Sequence, residues 1–319
     1  MACIAVKEDG MTQNKAAKLF HIPRSTLGNA LRNELHSDSS KKHERAMKDH
    51  VDALSVLGYH YSKVEFYAVA AEYTSRSKNS TSNGMDLVKK CLDKFPDTLF
   101  WASKSKRKTR EPLSMERYWI DLESVLMQYE FFEDKAHLVY SFGEMITLPD
   151  CTVYGCANAA GKLLPPFIAY KKTPPSLSSI CAPEGTGRAL MEDKIQRPQM
   201  FRKFLNHLLT HVQISEEEKA LLFVSGWFVS VGLKQWALDK NIEVLVLPAH
   251  GKRILSPLDA GCRDIFEERF RQIQNYAPKA NVLEVACKIY STSLSAKNVQ
   301  DGFRHSGVLP FNRNVQASF

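Results

Sequence analysis

Apolar residues recur at helical spacing through the first third of the chain, then switch to short dense runs beyond about residue 137. In MTQNKAAKLF, Ala16, Ala17, Leu19 and Phe20 form a stripe that predicts a helix over Thr12–Phe20, with Thr12 as its N-cap. His21-Ile22-Pro23 interrupts the pattern. Ser25 and Thr26 then offer caps for a second helix carrying Leu27, Ala30 and Leu31. The polar stretch His36–Lys42 reads as a linker. Beyond it, Glu44–Leu57, Lys63–Tyr73 and Met85–Phe95 again repeat at helical spacing, separated by GYHYS and by SRSKNSTSNG.

In the remaining two thirds, HLVYSF, TVYGCANA and LLPPFIAY read as three strands. They precede an amphipathic helix (MFRKFLNHLLTHV), a buried strand (ALLFVSG), a helix (VGLKQWALDKN), a buried strand (EVLVLP) and a long helix (CRDIFEERFRQIQNY). This is the element order of a ribonuclease-H-like α/β fold. The glycines of EGTGR at 184–188 have no nucleotide-binding context and predict a plain loop.

The 319 residues suffice for two or three domains, and 44% apolar with 10% aromatic content excludes wholesale disorder. No apolar run approaches the roughly 18–20 residues that would span a bilayer, and the N-terminal MACIAVKEDG has no basic region followed by an apolar block, so no secretory signal is expected. Seven cysteines, at 3, 91, 151, 156, 181, 262 and 287, include no CxxC pair and predict buried free thiols rather than a metal site or disulfides. Charge is uneven. Residues 1–120 hold 21 Lys+Arg against 14 Asp+Glu (21 − 14 = +7), whereas 121–319 hold 22 against 21 (+1). The basic third is therefore the part expected to meet a polyanion.

Arg24, Ser25, Thr26, Asn29 and Arg32 are left polar on the second helix or at its start. A helix opening with such residues can give backbone amides and hydroxyls to phosphate, and Arg or Asn to base edges. By pattern alone, a helical hairpin with solvated polar residues explains them equally well. Lys104, Lys106, Arg107, Lys108 and Arg110 form a basic run open to three readings: phosphate contact, nuclear import signal or solvated linker.

The string GMTQNKAAKLFHIPRSTLGNALRN resembles a Pipsqueak-type helix-turn-helix with a shorter first helix than that family shows. LGYHYSKVEFYAVAAEY followed by KKCLDKFPDTLFWASKSKRKTREPLS resembles the second helix-turn-helix unit of centromere protein B and its relatives. TVYGCANAAGKLLPPFIAYKK, VLVLPAHGKRILSPLDAG and GFRHSGVLPFNR resemble three stretches of the DDE transposase domain of the pogo, Tigger and Jerky group, in family order. The resemblance implies an α plus α/β chain: helix-turn-helix units at 1–36 and 43–113, then a ribonuclease-H-like DDE domain at 137–319.

In that family three acids bind two Mg²⁺ ions that activate water and stabilise the leaving oxygen during strand cleavage. On this chain the resemblance sets Gly143 at the first position, Ser225 at the second and Asp259 at the third, 34 positions after Ser225. Glu144 adjoins the first, but neighbouring strand residues point to opposite faces, so it should not substitute. The spacing from Glu144 to TVYGCANA is also shorter than in the family. The expectation is a nuclear, double-stranded-DNA-binding protein with its Mg²⁺ site lost, hence no cofactor, no small-molecule substrate and no membrane partner. A homodimer is left open. The competing expectations are a protein-interaction remnant that has lost DNA binding, and an active nuclease using a rearranged acidic set.

Overall fold

The computed structural model describes residues 2–7, 10–75, 84–94, 111–173, 182–277 and 281–318. The chain divides into two compact units. The first comprises Met1–Val51 and Tyr61–Phe100, and the second Asp52–His60 and Trp101–Phe319.

The first unit is helical: α1 (Ala2–Lys7), α2 (Gln13–Leu19), α3 (Arg24–Val56, whose last turn from Asp52 belongs to the second unit), α4 (Lys63–Ser75) and α5 (Gly84–Lys94). Thr12 caps α2 as its sequence predicts, its hydroxyl accepting from the Lys15 amide at 3.4 Å. Ala16, Ala17, Leu27 and Leu31 form a small core, against which Ala2, Val6, Met11 and Ile22 pack. Ser25 and Thr26 do not cap α3. The Leu27 amide donates to the Pro23 carbonyl at 3.1 Å, so the helix opens at Pro23 and both hydroxyl residues lie inside its first turn. Nor is His36–Lys42 a linker, because α3 runs through it unbroken for 33 residues. The stretch is polar but contains neither Gly nor Pro, and polarity alone does not end a helix. At α4 the sequence Ser62-Lys63-Val64-Glu65 forms a reciprocal capping box: Ser62 Oγ accepts from the Glu65 amide (3.3 Å), and Glu65 accepts from the Ser62 amide (2.8 Å).

The second unit opens with α6 (Glu111–Gln128) and is built on a six-stranded sheet. Its strands are β1 (Val139–Thr147), β2 (Cys151–Asn158), β3 (Phe167–Tyr170), β4 (Gly187–Leu190), β5 (Ala220–Ser225) and β6 (Ile242–Leu247), in the order β4-β3-β2-β1-β5-β6. β1, β2 and β3 pair antiparallel, while β5 lies parallel to β1 and β6 parallel to β5. This is the ribonuclease-H-like arrangement that the element order predicts. The α7 (Arg197–His211) and α8 (Val231–Leu238) helices fall where the sequence sets them. After β6 come α9 (Lys252–Leu255), a π-helical turn over Asp259–Arg263 leading into α10 (Asp264–Tyr276), α11 (Val282–Ser293) and α12 (Ala296–His305).

β4 corrects the plain-loop reading of EGTGR. Gly187 and Arg188 begin an edge strand parallel to β3, and Gly187 is required there because a Cβ would stand 2.7 Å from His207 Nδ1. The two faces of the sheet differ. Phe142 stacks with Tyr154 and packs against Phe201, Phe204 and, edge-on, Phe228 on the α7 side. The opposite face carries Gly143 and Gly155, over which Leu258, Leu294 and Met145 close. Behind it the π-helical turn crosses α12 backbone to backbone: a Cβ at Gly261 would lie 2.6 Å from the Gly302 α-carbon, and one at Gly302 would run into the Pro257 carbonyl. This crossing is why PLDAG and DGFR, distant in sequence, form one structural block that fixes Asp259.

Candidate catalytic cleft and helix-turn-helix face

The carboxyl ends of β1, β5 and β6 meet at one edge of the sheet. Paired residues of β1 and β5 are Val139 with Leu221 and Ser141 with Phe223. That pairing ends at Ser141 and Phe223; Ser225, the last residue of β5, pairs with Leu247 of β6. Gly143 faces Leu258, whose Cβ would lie 3.5 Å from an added methyl, and Leu258 immediately precedes Asp259. Gly143, midway along β1, thus neighbours Asp259 through Leu258, and Ser225 ends the strand that runs parallel beside β1.

What stands there is not a carboxylate cage. Gly143 offers no ligand. Ser225 is buried, and its hydroxyl lies 3.2 Å from the hydroxyl of Tyr59. Tyr59 donates to the Leu247 carbonyl at 2.7 Å, which leaves its oxygen to accept from Ser225. Burial raises the Tyr59 pKa, opposed by the Ser225 contact, and keeps the phenol neutral. Asp259 keeps its carboxylate but is ion-paired to Arg263 Nη1 at 3.1 Å, and Arg263 Nε donates to Glu267 at 2.8 Å. Burial first, then the Asp259 charge, pushes the neighbouring Cys262 thiol up to about 12. Glu144 accepts from Thr147 at 2.9 Å and is paired with Tyr154 in the β1–β2 ladder, on the face away from Gly143.

A pair of Mg²⁺ ions does not fit these residues. Two ions about 4 Å apart carry four positive charges and need several carboxylates around them. The residues here are a glycine, a hydrogen-bonded serine and an aspartate ion-paired to an arginine that it shares with Glu267. Among the described residues no group of three or more His, Cys, Asp or Glu side chains is placed to hold a metal.

On the first unit, Arg24, Ser25, Thr26 and Asn29 are exposed, while Leu27 and Leu31 turn into the core. Arg32 lies in α3, with its side chain outside the described residues. Lys104, Lys106, Arg107, Lys108 and Arg110 also lie outside them. A groove of about 620 Å³ runs beside the start of α3, lined by Asn14, Ala17, Lys18, His21, Ile22 and Arg24. Asn14, Lys18 and His21 escaped the sequence reading because only the turn between α2 and α3 brings them beside Arg24. Tyr59 and Arg263 were missed too. Arg263 was legible as the i+4 partner of Asp259, whereas nothing local to Tyr59 points to Ser225.

Residues 149–284 match the family model described as DDE superfamily endonuclease, and residues 2–38 that described as helix-turn-helix, Psq domain. No curated protein sequence matches the chain. Among solved structures, the catalytic domain of Mos1 mariner transposase is similar at 11% identity, covering 65% of this chain and 98% of that one, with a TM-score of 0.30. The Mos1 strand transfer complex is similar at 10% identity over 77% and 75% of the two chains, with a TM-score of 0.33. The Mos1 paired-end complex with left transposon end is similar at 10% identity over 94% of each chain, with a TM-score of 0.29. Likenesses this distant add no residue-level argument. The two family matches, on a helical unit and a six-stranded ribonuclease-H-like sheet, give the chain a Psq-type helix-turn-helix at residues 2–38 and a domain of the DDE endonuclease superfamily at 149–284.

Proposed function

We propose that this chain is a nuclear, sequence-specific DNA-binding protein descended from a pogo/Tigger-type transposase, and that it no longer cuts DNA. The observation that carries the second half is the β1–β5 register, which supports reading Gly143 and Ser225 as two lost carboxylate positions. With Asp259 bound to Arg263, the account needs no metal or other cofactor.

Binding is assigned to the N-terminal 120 residues, which hold the first unit and the 104–110 basic run. The opening amides of α3 and the Ser25 and Thr26 hydroxyls suit phosphate, and Lys18 and His21 line the same groove. Arg24 and Asn29 are exposed on the first turns of α3, where they suit base edges in a major groove. The 104–110 basic run adds phosphate contacts, a nuclear import signal or both. The protein-interaction and rearranged-nuclease readings gain no supporting observation.

The test is fluorescence anisotropy of the full chain on duplexes selected from a random pool. Six to ten phosphate contacts predict a loss of roughly 10³ to 10⁵ in affinity between 50 and 200 mM salt. Arg24→Glu or Asn29→Ala should flatten sequence preference, whereas charge reversal at Lys104, Lys106, Arg107 and Lys108 should weaken all sequences alike. Undiminished binding by the Arg24→Glu chain would remove the first unit from the account.

A further inference from the structure

The segment Leu57–Tyr59 lies across the ends of β5 and β6, and it is seated there by more than one contact. The Ala249 amide donates to the Leu57 carbonyl at 2.9 Å. Gly58 takes φ +86, in the left-handed region, and a Cβ there would come within 3.2 Å of the His250 ring, so only glycine suits the position. Tyr59 is 4% exposed; its hydroxyl reaches both the Leu247 carbonyl and Ser225, and the edge of Trp227 meets its ring at a centroid distance of 5.2 Å. Gly226 is the complementary feature below: any Cβ there would lie 2.6 Å from the tyrosine ring. Gly226, one carbonyl, the Ser225 hydroxyl and Trp227 thus converge on one buried phenol, while Gly58 and the Leu57 carbonyl seat the backbone beside it.

We infer that Leu57–Tyr59 is a strap that seals the sheet end where Ser225 stands, so that the site is closed to a divalent cation and a nucleic acid strand as well as short of ligands. A ligand approaching Ser225 must displace a ring that has lost contact with water and whose hydroxyl is already satisfied. Its naming of this edge as the former metal site rests on the proposed function; the seal itself rests on the contacts alone. Restoring carboxylates at Gly143 and Ser225 therefore leaves the site shut while Tyr59 is in place.

Peptide-resolved maleimide labelling of the full-length chain tests the seal without reference to metal. A Ser225→Cys thiol should label slowly with Tyr59 present and at least tenfold faster when Tyr59→Ala is added. Tyr59→Phe, which keeps the ring, should stay slow. Cys156 and Cys262, both buried and free, report unfolding in the same molecules and should label equally slowly in all three. Fast labelling at position 225 with Tyr59 intact, or equal rates with and without the ring, overturns the strap. If Tyr59→Ala exposes Cys156 as well, the Ser225→Cys rates in the Tyr59 and Tyr59→Phe chains decide: both slow supports the seal, either fast overturns it. Mn²⁺ titration of Gly143→Asp/Ser225→Asp with and without Tyr59→Ala then reports separately on the ancestry of the site. Binding by neither form counts against the triad assignment and leaves the labelling result standing.

Discussion

Replacing Gly302 by alanine tests whether the π-helical turn and α12 must touch through their backbones. The added methyl would collide with the Pro257 carbonyl and lie 3.1 Å from the Gly261 α-carbon. Both obstacles are main chain, so no rotamer change relieves them and one helix has to move. Overpacking of this kind costs about 1–3 kcal/mol, and an obstruction by backbone belongs at or above the top of that range. Alanine returns about 1 kcal/mol of helix propensity, which leaves a net loss of about 2–3 kcal/mol. At about 2–4 °C per kcal/mol for a domain of this size, the Tm should fall by about 4–12 °C in scanning calorimetry of the full chain. Gly143→Ala is the matched control. Its methyl meets Leu258 at an ordinary 3.5 Å, and relief of glycine's strand penalty of about 0.5–1 kcal/mol should leave Tm unchanged or slightly raised. A Gly302→Ala chain that melts with or above the parent would refute the crossing and, with it, the fixing of Asp259 by its neighbours.

Three further outcomes follow from the same geometry. Arg263→Ala removes the guanidinium facing the buried Asp259 and should cost about 3 kcal/mol, the lower end for breaking a buried pair, whereas Asp259→Asn should cost less; denaturant melts compare them. His207 is buried, donates to the Pro165 carbonyl at 3.1 Å and packs its ring 4.6 Å from that of His211; burial lowers its pKa. Its contribution is therefore complete above the unfolded value of about 6.5 and is lost as pH falls through the lower folded value. Tm should drop between pH 7 and pH 5, less steeply in His207→Gln, and equal slopes would count against the assignment. Glu65→Ala opens the capping box at α4 and should cost about 1 kcal/mol in thermal melts, with Glu65→Gln largely preserving it.

Much of the core was legible because local pattern and tertiary environment agree there. ALLFVS is a nearly continuous apolar run that became β5, buried along its length, and the apolar VLVL became the buried part of β6 although that strand lies at the sheet edge. Thr12 followed by an apolar stripe is a local signal, and it held. The failures are long-range. RAL is too short to show alternation, and it becomes a strand only because β3 offers an edge and His207 packs on Gly187. His36–Lys42 lacks apolar periodicity, yet α3 runs through it. At the candidate cleft, Gly143, Ser225 and Asp259 could be singled out by position, but the long-range partner of Ser225 could not. Tyr59 lies 166 residues from Ser225, and its own surroundings, LGYHY, announce only a turn.

The central claim is that a DDE-type fold has been retained without its metal chemistry. It is tested most directly by incubating the full-length, unmodified chain with supercoiled plasmid and Mg²⁺ or Mn²⁺. The account predicts no nicking above the metal-only background, and no difference between the parent and Asp259→Asn. Metal-dependent nicking by the parent that disappears in Asp259→Asn would contradict it, because Asp259 would then be a working ligand rather than the partner of Arg263.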